Sequence, residues 1–202
     1  MRKTGGRAAP MSPDQRRRAI VEAVIPLLLE HGRSITTRQI AEGAGIAEGT
    51  IFRVFESKDE LVDAALERAF APGPLLDQLA AIDRDQPLRG RLVAFVTVLQ
   101  NRFVEIFGLM AAMGLVAPPE RHDADEGPDS WRARVHAQLV SLVGADADRL
   151  RISTDDLIKA LRLLTFSGSH HQIADNHLMT PEQIVDLALY GALADDDPTR
   201  KC

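Results

Sequence analysis

This sequence predicts an all-α fold, with three short helices at the N-terminus and about six others behind them. Apolar residues recur at helical spacing along nearly the whole chain, and no window of five or more alternates convincingly at period two. Thr36-Thr37-Arg38-Gln39 is a Thr-x-x-Gln capping box, the signature of a helix start, and Gly43 and Gly45 follow it closely. Further on, Leu92, Val96, Leu99, Phe103, Ile106, Met110 and Met113 keep a 4-3-4-3-4-3 spacing that lines one helix face for about six turns.

The elements follow in order. Ser12 before Pro13 suits an N-cap with proline in the first helical position, and Gly32 suits the C′ stop of a helix ending near His31. That helix buries Ile20, Val24, Leu27 and Leu28, and Pro26 inside it removes one backbone bond and predicts a kink. A short helix over Ile40 and Ala41 follows the capping box, and a second runs from about Ala47 to Val54. Ser57 then caps a helix carrying Leu61, Ala65, Leu66 and Ala69, which Pro72-Gly73-Pro74 ends. After a short piece near Leu75 to Ile82 comes the long helix ending at Met113. Ala117 to Ser130, with three prolines and five acids, reads as an exposed loop. Further helices are predicted over Trp131 to Val143, Thr154 to about Asp175, and Pro181 to about Ala194, with a frayed polar end after Asp195. The predicted organisation is a basic, disordered arm over 1–11, a helix-turn-helix domain over 12–56 and a helical domain over 57–202.

The 202 residues are 45% hydrophobic and 26% charged, a globular composition rather than that of a disordered chain. A chain of this length buries roughly 70% of its unfolded surface, so its core needs no disulfide or metal staple. The single cysteine, Cys202, excludes an internal disulfide and a cysteine-based zinc site. No apolar segment follows the charged start, and the longest uncharged stretch, Ile106 to Pro119, is fourteen residues where a spanning helix needs about 20. No membrane partner is expected, and the expected location is cytoplasmic.

The net charge of −5 hides an asymmetry. Residues 1–58 hold ten Lys and Arg against six acids, and residues 59–202 hold fourteen against twenty-three. A basic working end on an acidic body fits a polyanionic partner at the N-terminus. Arg16-Arg17-Arg18 and the arm with Arg2, Lys3 and Arg7 can add phosphate contacts, but three consecutive arginines cannot share one helix face.

Two short helices joined by a glycine-containing turn form a helix-turn-helix candidate, with Ile40, Ala41, Ile46 and Ile51 as the packed seam and Glu48, Thr50 and Arg53 facing outward. The wider stretch, residues 20–66, runs through His31-Gly32, Thr36-Thr37-Arg38-Gln39-Ile40-Ala41, Ala44-Gly45-Ile46, Gly49-Thr50-Ile51-Phe52 and Phe55-x-Ser57-Lys58-x-x-Leu61. In order and spacing it resembles the TetR family of bacterial transcriptional regulators.

The resemblance implies an N-terminal DNA-binding domain and a C-terminal domain that dimerises and encloses a small-molecule pocket, with a double-stranded DNA operator as partner. It places Thr36, Thr37, Arg38, Glu48, Gly49, Thr50, Phe52, Arg53 and Lys58 at the duplex. The chemistry of these residues is compatible with that role. A threonine at a helix N-terminus offers a hydroxyl and backbone N–H groups to a phosphate, although Thr36 serves equally as a cap alone. Gly49 allows close approach, Thr50 suits a phosphate or a thymine methyl, and Arg53 suits a phosphate or guanine. Lys58 matches the family's phosphate-binding lysine. Three departures bear on affinity, the first being the bend that Pro26 puts in the first helix. Phe52 stands where the family usually has tyrosine, and Glu48 either accepts from a cytosine amino group or is repelled by the backbone.

In the body, Phe103, Phe107, Met110, Met113, Trp131 and Phe166 are predicted to line a pocket for a moderately apolar effector, with His136 or His170 orienting it. Leu157, Leu161, Leu164 and Gly168 on one helix, with Ile184, Ala188 and Gly191 on the next, are predicted to form a homodimer interface of four helices. Two other classes stand beside this reading. One is a ligand-binding module of the same fold that has lost DNA binding. The other is a metal protein or enzyme using His170, His171 and His177 near Asp175; the chain lacks a phosphate loop and a nucleophile motif, and no metal site or cofactor is expected.

Overall fold

The computed structural model describes residues 12–118 and 130–191. Among them all regular structure is helical, and the chain divides into two compact units. The arm over 1–11, most of the predicted loop and the frayed end lie outside the described residues.

The first unit comprises the chain up to Phe70 together with Gly108–Pro119. Helix α1, Pro13–His31, starts on a capping box in which Ser12 and Gln15 each accept from the other's backbone N–H. It runs unbroken through Pro26 and stops at Gly32, whose φ of +56° suits a residue without a Cβ. Helix α2, Thr37–Ala44, begins on the predicted Thr36/Gln39 box and ends at Gly45 in the left-handed conformation. Helix α3 is shorter than predicted: Glu48–Ile51 is one α-turn, followed by tighter bonds from Arg53 N–H to the Thr50 carbonyl and from Val54 N–H to the Ile51 carbonyl. The tightening carries the buried Phe55 back to the core, where Ile51 is also buried. Helix α4, Lys58–Phe70, starts where the Ser57 hydroxyl accepts from Glu60 N–H, and it packs along α1.

The second unit comprises Ala71–Phe107 and the chain from Glu120 onward. Its helices are α5 (Gly73–Ala80), the first part of α6 (Leu88–Met113), α7 (Trp131–Val143), α8 (Thr154–Gly168) and α9 (Pro181–Tyr190). Leu79, Leu92, Phe95, Leu139, Leu161 and Ile184 are all buried in one apolar cluster. Each such side chain contributes roughly 1.5–3 kcal/mol relative to exposure. Helix α6 is, by length and composition alone, long and apolar enough to cross a membrane. Its line of Leu92, Phe95, Val96 and Leu99 is buried in this cluster.

The expected boundary after residue 56 is not where the compact units divide. Helix α4 groups with the helix-turn-helix because Leu61 and Ala65 are buried and Arg68 pairs with Glu22 of α1 at 3.1 Å. Helix α8 ends at Gly168 and not near Asp175. The chain turns over 171–176, with positive φ at Asp175 and Asn176. Helix α9 ends at Tyr190, four residues before the predicted stop.

Candidate nucleic-acid interface

Helices α2 and α3 are set by a small apolar seam. Ile40, Ala41 and Ile51 are buried, Ile46 is half-buried, and Ile46 N–H donates to the Ala41 carbonyl across the turn. Gly43 instead lets α2 lie close to α1: a Cβ there would stand 2.6 Å from Cδ1 of Leu27. With the seam turned inward, Glu48, Gly49, Phe52 and Arg53 are exposed and Thr50 is half-buried. Phe52 keeps 53% of its surface in solvent although it is a large apolar ring. A Cβ built on Gly49 meets nothing within 4 Å.

At the N-terminus of α2 the Thr36 hydroxyl accepts from Gln39 N–H, so its capping role is occupied. The neighbouring Thr37 hydroxyl donates to Glu48 Oε1, tying the start of α2 to the start of α3. Arg38 Nε donates to Glu42 Oε1 at 2.9 Å. That bond, and then the charges of Glu42 and Glu48, hold the Arg38 guanidinium above its ordinary pKa. Lys58 Nζ donates to the Ile35 carbonyl at 3.2 Å, which leaves two of its three donors for a phosphate.

Arg16 and Arg18 are exposed, whereas Arg17 turns to the protein. It donates to the Val54 carbonyl at 3.1 Å and to Glu60 Oε1 at 3.0 Å. Glu60 Oε2 in turn accepts from Glu56 N–H at 2.6 Å, and Arg17's bond adds to this in holding Glu60 below the usual carboxylate range. The sequence offers no local sign that the middle arginine differs from its neighbours, because its partners lie 37 and 43 residues away.

The residues predicted to line a pocket do not form one group. Phe103, Phe107 and Phe166 meet one another at ring separations of 5.1–5.8 Å, and His170 stands 4.7 Å from the Phe107 ring. Nδ1 of His170 is buried without a hydrogen-bond partner. Met110 and Met113 belong to the first unit, with Met113 fully buried there. Trp131 is covered by Arg132, and His136 pairs with the exposed Asp155 at 3.0 Å. Two open grooves on the second unit, of about 800 and 550 Å³, have other linings: Arg89, His177 and Tyr190 in one, Gln100, Asn101 and Glu105 in the other.

The predicted dimer stripe needs correction. Leu157, Leu161, Gly168 and Ile184 are buried within their own unit. A Cβ on Gly168 would stand 3.1 Å from Met179 Cβ, so the close approach it permits is intramolecular. Leu164 and Ala188 are half-buried and pack against the same cluster, while Gly191 is exposed as the stop of α9. The outward apolar residues are Leu163 and Phe166 on α8 and Leu187 and Tyr190 on α9. The histidines are also placed differently from expectation. His170, His171 and His177 lie beyond the end of α8 and share no helix face, and His177 Nδ1 lies 2.8 Å from the Asp175 carbonyl. Among the described residues no three His, Cys, Asp or Glu side chains are grouped to hold a metal.

A capped first helix, a tight left-handed turn and a second helix whose outer residues carry no core duty define a DNA-binding helix-turn-helix protein. The sequence model of bacterial regulatory proteins, tetR family, matches residues 20–65. The HTH-type transcriptional regulator YvkB of Bacillus subtilis is 41% identical over 70 residues, which span 34% of this chain and 36% of that protein. The HTH-type transcriptional repressor Rv3405c of Mycobacterium tuberculosis is 29% identical over 187 residues and is covered over 93% of its length, as is 77% of this chain. The TetR transcriptional regulator SCO0520 from Streptomyces coelicolor shares the fold at a TM-score of 0.53 and 23% identity, over 87% of this chain and 97% of that one. Residues 20–65 therefore match the helix-turn-helix region of the tetR family of bacterial regulatory proteins, and the chain as a whole is similar in fold to a TetR regulator.

Proposed function

We propose that this chain is a cytoplasmic, homodimeric repressor that binds a palindromic operator through α2 and α3 and is released by a small, moderately apolar effector. The observation that carries the reading is the exposed set Glu48, Gly49, Phe52 and Arg53, held beside the α2 N-terminus by a seam that excludes them. Nothing in the protein's own packing calls for an exposed phenylalanine there or for a glycine with open space in front of it. A duplex accounts for both, since an apolar side chain can contact a thymine methyl and a bare Cα admits the backbone. Arg53 and Lys58 supply phosphate or guanine contacts.

Dimerisation is supported by the outward apolar residues of α8 and α9, Leu163, Phe166, Leu187 and Tyr190. Pairing by twofold symmetry would place two recognition helices about 34 Å apart, one turn of DNA. For the effector, the aromatic group of Phe103, Phe107 and Phe166 with the unpartnered His170 Nδ1 offers an apolar wall and one polar anchor. An effector acts here by favouring a conformation that misfits the operator.

The test is a gel shift on the chain's own upstream intergenic DNA, with wild type and Arg53→Ala. Binding by wild type and at least tenfold weaker binding by the variant are expected. No shift with wild type favours the second reading, a ligand-binding module without DNA binding, which the missing phenolic hydroxyl at Phe52 and the charge of Glu48 support. Light scattering at micromolar concentration tests the dimer, and a monomer overturns it.

A further inference from the structure

Glu48 is an anomaly on a surface meant for a polyanion. It stands at the first position of α3, exposed, and makes no ion pair with a lysine or arginine among the described residues. Its one hydrogen bond there comes from the Thr37 hydroxyl, which occupies Oε1. That leaves Oε2 as an acceptor on an exposed side chain, one residue before Gly49, where a built Cβ meets nothing within 4 Å.

Resting on the proposal that α3 reads DNA, we infer that Glu48 is the specificity-determining residue for a cytosine in each half-site. A carboxylate brought into the major groove is repelled by the phosphates and by every acceptor on a base edge. Guanine presents only acceptors, thymine an acceptor and a methyl group, and adenine an amino donor beside the N7 acceptor. Within the pair adenine's amino group has an acceptor on each side, its own N7 and thymine O4, whereas cytosine's has guanine O6 on one side and C5–H on the other, so a carboxylate is tolerated best at cytosine. The bond from Thr37 holds the group in place before DNA arrives, which reduces the ordering cost of the contact. Thr37 therefore acts as a positioning residue for Glu48. An acid in the first turn of a helix also stabilises that helix through its dipole, and this alternative makes a different prediction for the same variants.

The experiment selects duplexes from a pool randomised over about 30 base pairs with wild type, Glu48→Ala, Glu48→Gln and Thr37→Ala, and records a thermal melt of each protein. Wild type is expected to enrich a motif with one C·G pair per half-site, preferred about tenfold over the other pairs, the scale of one base contact. Glu48→Ala removes the preference at that position alone. Glu48→Gln moves it toward adenine, whose N6 and N7 match an amide. Thr37→Ala reduces the cytosine preference while other positions keep theirs. If Glu48→Ala selects the unchanged motif, with or without a lower melting temperature, the carboxylate serves only the helix and the inference is overturned. If wild type enriches no motif, the DNA-reading proposal itself fails and the inference falls with it.

Discussion

The guanidinium of Arg17 lies over the ring of Phe55, its central carbon 4.2 Å from the ring centre. The same group holds the Val54 carbonyl and Glu60, so a residue of α1 fixes the chain where it leaves the recognition helix. The ring contact alone is worth about 0.5–1 kcal/mol. Arg17→Lys keeps the charge but loses the planar fork that serves two acceptors at once. Urea unfolding is expected to show both Arg17→Ala and Arg17→Lys below wild type, with lysine recovering less than half of the loss. Full recovery by lysine would show that charge, and not the fork, is what matters.

Gly32 and Gly144 separate two costs that a glycine can hide. Both have positive φ, but a Cβ on Gly32 would stand 2.3 Å from the Ala112 carbonyl oxygen whereas one on Gly144 meets nothing. Gly144→Ala is expected to cost about 1–3 kcal/mol, the strain of a positive φ paired with a ψ of −130° that only glycine adopts freely. Gly32→Ala adds a backbone clash and disturbs the adjoining bond from Arg33 Nε to the Met113 carbonyl at 2.8 Å, so a loss above about 3 kcal/mol is expected. Equal losses in denaturant titrations of the two variants would contradict the packing described for Gly32.

Gly49→Ala should move stability and DNA binding in opposite directions. The new methyl group touches nothing in the protein, and alanine is favoured over glycine inside a helix by up to about 1 kcal/mol. The variant is expected to unfold at the same or higher urea concentration and to bind operator DNA at least tenfold more weakly. Unchanged binding would place the duplex away from this part of α3.

Asp186 accepts two hydrogen bonds from Arg89, at 2.7 and 2.9 Å, and the guanidinium holds its carboxyl below the usual carboxylate range. The folded-state value is depressed, so the stabilisation is complete above the unfolded value near pH 4 and disappears as pH falls through the lower folded value. Arg89→Gln is expected to melt below wild type at pH 7 in low salt. That difference shrinks toward zero below about pH 3, as far as the protein remains folded. A difference that persists at low pH would trace the effect to packing of the arginine stem.

The caps were legible because they are local. Thr36 forms its predicted box with Gln39, and Ser12, predicted as an N-cap, accepts from Gln15 N–H three residues on. The end of α3 was not, since Phe52-Arg53-Val54 fits an α-turn or a tighter one equally well and the choice is made by burying Phe55. The length of α8 was overread for a similar reason: the pattern continues past Gly168, but the Gly168 carbonyl accepts from Met179 N–H of the returning chain, a partner eleven residues away. The stripe of Leu157, Leu161 and Gly168 was found correctly as apolar and assigned to the wrong partner, because periodicity shows which face is buried but not what covers it. The inward turn of Arg17 depends on contacts 37 and 43 residues away, beyond any local pattern.

The one α-turn of α3 is held by Ile51 and the seam beneath it, and beyond the Thr37–Glu48 bond its outer residues stand exposed. Such a surface behaves like exchangeable type set in a fixed frame. Residues at positions 52 and 53 can be replaced in a lineage, or in the laboratory, with little toll on folding, so new operators are reachable by single steps. Retargeting this regulator is therefore a problem in chemistry at a few side chains and leaves the architecture untouched.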